Sequence, residues 1–154
     1  MDKTYSITTS IEKLEHICKT VPVQLQLIDE KIFNEKPTEK WSKKEILGHL
    51  IDSATNNHHR IVRGQFEVQP KITYNNDTWN NGNHYLELDT DYIISFWTAY
   101  NKFLVELIKH IPPEKLTNTV ETGEEGNKSI MTLAFIIDDY VVHLEYHLKQ
   151  ILNL

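Results

Sequence analysis

The chain of 154 residues is poor in cysteine, glycine and proline, with one, five and five of them. A single cysteine cannot form an internal disulfide, and residues 1–6 lack the apolar core of a signal peptide; both features predict a reducing, cytoplasmic location. No apolar run approaches the roughly 18 residues that span a bilayer. The formal net charge is −6 and no long basic run is present, which argues against nucleic acid or membrane as the main partner.

The length and composition predict one domain over residues 1–154, with 40% hydrophobic residues, enough for a core. Few chain breakers and long segments with apolar residues at helical spacing predict an all-α protein, a four-helix bundle. The predicted helices run from Ser6 to about Lys19 with a restart at Pro22, from Ser42 to about Gly64, from Asp89 to before Pro112, and from Ser129 to about Leu152.

The connections are less regular. Residues 66–88 are polar and rich in Asn and Tyr, which predicts a long loop that covers a site and permits a crossover between helices. Residues 117–128 are predicted to form either a hairpin or an open loop. The aromatic residues of the third helix recur at helical spacing, which predicts core packing rather than a ligand cage: Phe96, Trp97, Tyr100 and Phe103.

Two histidines, His143 and His147, lie four residues apart in the last predicted helix. Residues at this spacing share a helix face, so the two imidazoles are able to bind one metal ion. A helical wheel places both rings inward or beside the apolar stripe, and a buried imidazole needs a partner. Either a metal or polar groups could serve, and Asp139 and Gln150 are at suitable spacing to orient the rings.

His49 is a third candidate ligand, on the second predicted helix. The wheel puts His49 away from the apolar face, with Glu45, Asp52 and Asn56. Periodicity therefore favours a solvent-exposed side, and the alternative is a polar cleft. His16, His58, His59, His84 and His110 lack partners at ligand spacing and are predicted to be structural.

Several catalytic motifs are absent. The C-terminal pair reads H-x-E-x-H rather than H-E-x-x-H, and Glu145 is predicted to face solvent, which excludes a zincin-type protease. Phosphate-binding and nucleophile-elbow glycine motifs are missing. Cys18 has no setting that would activate its thiol and is predicted to be a packed residue.

Two blocks resemble a known family. The segment from Trp41 to Ser53 (WSKKEILGHLIDS) is similar to the first ligand helix of DinB-like proteins, and the segment from His143 to Ile151 (HLEYHLKQI) is similar to their C-terminal histidine helix. The run from Tyr74 to Trp79 (YNNDTW) resembles their interhelical loop. The resemblance covers nearly the whole chain.

The resemblance implies a four-helix bundle of the DinB/YfiT type, often a homodimer, with a divalent metal ion, nickel or zinc among others, held by His49, His143 and His147. It thereby favours the cleft interpretation of His49. Known members include S-transferases that use a low-molecular-weight thiol, and others are called metal-dependent hydrolases.

The function expected from these features is that of a metal-dependent enzyme acting on a small-molecule substrate, with thiol S-transfer ahead of hydrolysis. Three neutral imidazoles leave a bound ion its full charge and an open position. Asp52, one turn beyond His49, is a candidate general base, and an exposed structural carboxylate is the alternative. The rival class is a non-catalytic bundle that binds metal or a small ligand in a stress response.

Overall fold

A computed structural model describes residues 7–123 and 126–154. Within these ranges the protein is mostly helical, with four long helices, two short ones and a small hairpin. The long helices are α1 (Thr8–Gln26), α3 (Lys43–Gly64), α5 (Thr90–Lys109) and α6 (Leu133–Leu152). The short helices α2 (Glu30–Asn34) and α4 (Asn76–Asn83), the 3₁₀ turns Tyr85–Glu87 and Pro113–Lys115, and the antiparallel strands β1 (Thr119–Glu121) and β2 (Ile130–Thr132) connect them.

Local capping fixes where two of the long helices begin. The Ser42 hydroxyl accepts from the Glu45 amide at 3.1 Å, and the Glu45 carboxylate accepts from the Ser42 amide at 2.7 Å. This reciprocal pair is the predicted capping box, and it satisfies amides that have no partner within α3. Asp89 caps α5 by accepting from the Tyr92 amide at 2.9 Å. Both predicted starts are confirmed.

The helices pack in an order that differs from a simple up-down bundle. Helices α1 and α3 both pack against α5 and α6. Helix α1 therefore lies diagonally opposite α3, and α5 lies diagonally opposite α6. Residues 27–42 and 110–132 therefore each connect diagonally opposite helices, whereas the long central segment joins the neighbours α3 and α5.

Three predicted boundaries are wrong. Helix α1 continues through Pro22, because Val21 and Leu25 are buried in the core on either side and hold the segment in place. Residues 130–132 pair with β1, so α6 starts after Thr132, whose hydroxyl accepts from the Phe135 amide at 3.2 Å. The predicted loop at 66–88 contains α4 and a 3₁₀ turn.

The hairpin alternative is confirmed for the connection at 117–128, of which residues 124–125 lie outside the described ranges. The predicted helix start at Ser6, and the rest of residues 1–6, also lie outside them. Within residues 7–123 and 126–154, no helix has the length and apolar character that crossing a membrane requires.

The core runs along the centre of the bundle and consists mainly of aliphatic side chains. Trp97 and Tyr140 are its largest fully buried side chains, and the Tyr140 hydroxyl donates to Asn101 Oδ1 at 2.5 Å. The core prediction holds for Trp97. It is wrong for Phe96 and Phe103, which are 46% and 52% exposed, because these two side chains point out of the bundle from α5.

A candidate three-histidine metal centre

The three predicted ligands come together where α3 packs against α6. His49 lies on the second turn of α3, and His143 and His147 are one turn apart on α6. The Nε2 atoms of His49 and His143 are 3.0 Å apart. The His147 ring centroid is 4.8 Å from that of His49 and 4.6 Å from that of His143. One potential donor atom from each ring lies within 4.8 Å of the other two.

His49 is only 2% exposed, which corrects the helical-wheel interpretation. Its neighbours on that face, Glu45, Asp52 and Asn56, are also buried. The His49 ring packs against Trp41 and the two histidines of α6. Asn80 of α4 donates to the Glu45 carbonyl, and Tyr85 of the 3₁₀ turn donates to Asp52. Helix α3 is therefore enclosed on several sides, and hydrophobic periodicity marks only one of them.

Desolvation keeps the rings of His49 and His143 neutral. Desolvation, followed by repulsion from His143 and His147, lowers the pKa of His49 to about 3. Desolvation and repulsion from His147 lower the pKa of His143 to about 4. At neutral pH these two rings therefore carry lone pairs rather than a positive charge, and a lone pair is what a metal ligand requires.

The third ring is oriented by a neighbour. Gln150 Oε1 lies 2.7 Å from His147 Nδ1. An Nδ1–H that donates to this carbonyl leaves Nε2 as the free lone-pair atom, the arrangement typical of metal-binding histidines. The predicted contact between Gln150 and His147 is confirmed, and its orienting role stays a prediction. Asp139 is exposed, and within the described part of the chain no hydrogen bond joins it to the rings.

The donor set fits a divalent cation. At metal–nitrogen bonds of roughly 2.0–2.1 Å, two nitrogens of a tetrahedral site lie about 3.3 Å apart, close to the 3.0 Å between His49 and His143. A hydrogen bond between those two rings would explain one pair but not the convergence of the third. His49 Nδ1 is buried and has no hydrogen-bond partner among the described residues.

An open cleft gives access to the cluster. Its volume is about 500 Å³, and its walls include Trp41, Ile46, His147 and Gln150. The Trp41 ring lies 5.0 Å from the His49 ring. Trp41 immediately precedes the N-cap of α3, which places its ring at the cleft.

Asp52 lies outside the group of converging atoms. Its carboxylate Oδ1 accepts from the Tyr85 hydroxyl at 2.6 Å and from Asn83 Nδ2 at 2.8 Å. It is 1% exposed, so the alternative of an exposed carboxylate is wrong. Burial raises the pKa of Asp52 to about 6, although the two hydrogen bonds act to lower it. The general-base role stays a prediction, and neither partner was identified from the sequence.

The other histidines and the cysteine do not join the cluster. His58 Nδ1 lies 2.9 Å from the Tyr100 hydroxyl, a structural contact between α3 and α5. The described residues show a single group of three or more potential metal ligands, and it contains none of His16, His58, His59, His84 and His110. Cys18 is buried, and desolvation raises the pKa of its thiol to about 11, as expected for a packed residue.

Comparison with solved structures identifies the fold. The chain superimposes on YfiT from Bacillus subtilis, described as a probable metal-dependent hydrolase with an unusual four-helix bundle topology. The TM-score is 0.86 at 17% identity, covering 99% of this chain and 87% of YfiT. The protein has the DinB/YfiT-type fold. The resemblance seen in the sequence is therefore confirmed at the level of fold.

A second similar structure is a mutant of the mycothiol-dependent maleylpyruvate isomerase. The TM-score is 0.76 at 11% identity, covering 96% of this chain and 62% of the isomerase. This chain therefore spans less than two thirds of that enzyme. No family model matches the sequence, and no curated protein matches it either.

Proposed function

We propose that His49, His143 and His147 bind one divalent metal ion, nickel or zinc, and that the protein uses it as a metal-dependent enzyme. The observation that carries the proposal is the convergence of three imidazole rings, 4.6–5.0 Å apart between centroids, from two helices. The His49 ring is buried and the other two rings are half-buried, so their desolvation calls for a compensating partner, which a metal ion would supply.

The residues of the site have separable roles. His49, buried beneath Trp41, would supply the fixed ligand, since its helix is enclosed on several sides. His143 and His147 would supply the other two from α6, and Gln150 would hold the His147 ring. A bound ion would supply Lewis acidity, lowering the pKa of a coordinated thiol or water toward neutrality.

Within this class we favour transfer of a low-molecular-weight thiol to a small electrophile. The second solved structure is described as a mycothiol-dependent enzyme. The cleft of about 500 Å³ beside His147 is large enough for a small substrate together with part of a thiol cofactor. Its apolar side chains Ile32, Trp41 and Ile46 suit an uncharged electrophile.

Hydrolysis is the alternative, because YfiT is described as a probable metal-dependent hydrolase. The same three ligands would serve both reactions, which differ in whether thiol or water is the nucleophile. A third possibility is a bundle that binds metal without catalysis. Such a protein would contain metal but show neither thiol transfer nor hydrolysis. Dimer formation and a cytoplasmic location stay predictions.

The test is an activity assay on protein purified without a histidine tag. The metal-loaded protein would be incubated with a chromogenic electrophile and, in turn, bacillithiol, mycothiol and glutathione, and in parallel with an activated ester. Thiol transfer that exceeds ester hydrolysis and disappears in His143→Ala supports the proposal. The matched control is His59→Ala, an exposed histidine on α3 outside the cluster. Ester hydrolysis alone would instead support the hydrolase, and activity retained by His143→Ala would reject the site.

A further inference from the structure

A second cavity lies between α3, α4, the Tyr85–Glu87 turn and α5. Its volume is about 340 Å³, at the small end of the roughly 300–1,000 Å³ typical of ligand pockets. Asp52, Asn83 and Tyr85 form its polar part, and Trp79, Tyr92 and Phe96 are among its apolar residues. None of the three histidines of the candidate metal centre lines it.

Asp52 brings an incompletely satisfied carboxylate to this cavity. Its Oδ1 accepts two hydrogen bonds, from Tyr85 and Asn83. Its Oδ2 is also buried but has no partner among the described residues. A buried carboxylate oxygen without a donor is costly, so a ligand donor at Oδ2 would be favourable. Asp52 is 1% exposed, so a ligand in the cavity reaches Oδ2 only when a neighbouring side chain moves aside.

Close packing of Tyr85 on α3 at Gly48 holds the Asp52 carboxylate in place. A Cβ atom at Gly48, one turn earlier on α3, would lie 2.2 Å from the Tyr85 ring. Glycine at this position therefore lets the Tyr85 ring pack directly on α3, where its hydroxyl reaches Asp52 at 2.6 Å. The two hydrogen bonds hold Oδ1 and leave Oδ2 without a donor among the described residues.

The walls complement a positive charge. Tyr92 and Phe96 are 62% and 46% exposed, one turn apart on α5, and Trp79 is half-buried on α4. Aromatic faces attract organic cations, and aromatic residues next to a carboxylate are a common way to recognise an ammonium group. None of the described residues that line the cavity carries a positive charge. The formal net charge of −6 favours the approach of a cation.

We propose that this cavity binds a small organic ammonium ion with an apolar body. On binding, a lining side chain moves aside and the ammonium group donates to Asp52 Oδ2, while its body lies against Trp79, Tyr92 and Phe96. The site is separate from the three-histidine cluster and does not depend on a bound metal. The competing explanation is that Asp52 only anchors the Tyr85 segment to α3, in which case no cation is needed.

The probe is phenethylamine, which is protonated at pH 7.5, and the matched neutral compound is 2-phenylethanol. Titration into ¹⁵N-labelled protein is expected to give saturable amide shifts around residues 52, 55, 79 and 83. The alcohol should bind about tenfold more weakly or worse, because it lacks the charge that pairs with the carboxylate. Equal affinity for amine and alcohol, or no saturable shift, would overturn the proposal.

Variants assign the binding to the cavity. Asp52→Asn keeps the size of the side chain and an acceptor for Tyr85, and should weaken amine binding about tenfold or more. Asp77→Asn removes the same charge from an exposed site on α4 and should leave affinity unchanged. His147→Ala should also leave it unchanged, and a loss there would move the amine to the metal centre and refute the proposal.

Phe96 lines the cavity but is partly exposed, so replacing it tests binding without disturbing the core. Phe96→Ala removes one aromatic face and should weaken amine binding about twofold to fivefold, with a smaller effect on the alcohol. If Asp52→Asn does not fold, this variant decides. Unchanged amine affinity in Phe96→Ala, or in a folded Asp52→Asn, would overturn the proposal.

Discussion

Replacing Gly48 by alanine is expected to destabilise the protein, although alanine is the better helix former. An added Cβ atom would meet the Tyr85 ring at 2.2, 2.4 and 2.6 Å, distances that force the ring to move. Moving the ring lengthens the 2.6 Å hydrogen bond to the buried Asp52 carboxylate. Gly48→Ala therefore tests the contact that holds the 3₁₀ turn and α4 to α3.

The magnitude follows from three effects. Overpacking costs about 1–3 kcal/mol, and weakening a hydrogen bond to a charged group costs up to about 1.5–3 kcal/mol. Alanine returns about 1 kcal/mol through its higher helix propensity. We expect the free energy of unfolding of Gly48→Ala to fall by about 2–4 kcal/mol.

The assay is urea denaturation at pH 7.5, with the m-value checked for constancy. Gly82→Ala is the matched control: Gly82 lies in α4, and a Cβ atom there would meet nothing within 4 Å. The control should be neutral or stabilised by up to about 1 kcal/mol. Equal stability of the two variants would refute the account of Tyr85 packing.

Three further outcomes are expected. Burial raises the pKa of Asp52 from 3.8 to about 6, so the folded state binds the proton more tightly. The free energy of unfolding of the wild type relative to Asp52→Asn should therefore fall as the pH rises from about 4 to about 6. The loss, measured by urea denaturation, should be at most about 3 kcal/mol. Gln150→Ala should weaken metal affinity about tenfold to a hundredfold in chelator competition, with exposed Lys149→Ala as the control. Ser42→Ala removes the cap of α3 and should cost about 0.5–2 kcal/mol in thermal or urea unfolding.

Local features of the fold were predictable from the sequence, and long-range features were not. The Ser42–Glu45 capping box and the Asp89 cap involve residues three apart, so their patterns are visible in the chain. The start of α6 depends on pairing of residues 130–132 with β1, which competes with the cap predicted at Ser129. The continuous helix through Pro22 likewise depends on core contacts of its neighbours.

The candidate site divides in the same way. His143 and His147 were predictable because residues four apart share a helix face. The burial of His49 was not, since the elements that cover α3 lie far along the chain, and only the family resemblance favoured it. Asp52 was noticed from its spacing to His49, but its contacts with Asn83 and Tyr85 span 31 and 33 residues. Gly48 was the one local sign that a ring packs there.

The central claim is that three imidazoles from two helices form one metal site. The most direct test is the ratio of metal to protein, measured by elemental analysis after equilibration with Ni²⁺ or Zn²⁺ and removal of excess, in tag-free protein. We expect one ion per chain for the wild type and for His59→Ala, and none for His147→Ala with its helical circular dichroism intact. The same ratio in folded His147→Ala as in the wild type would contradict the account.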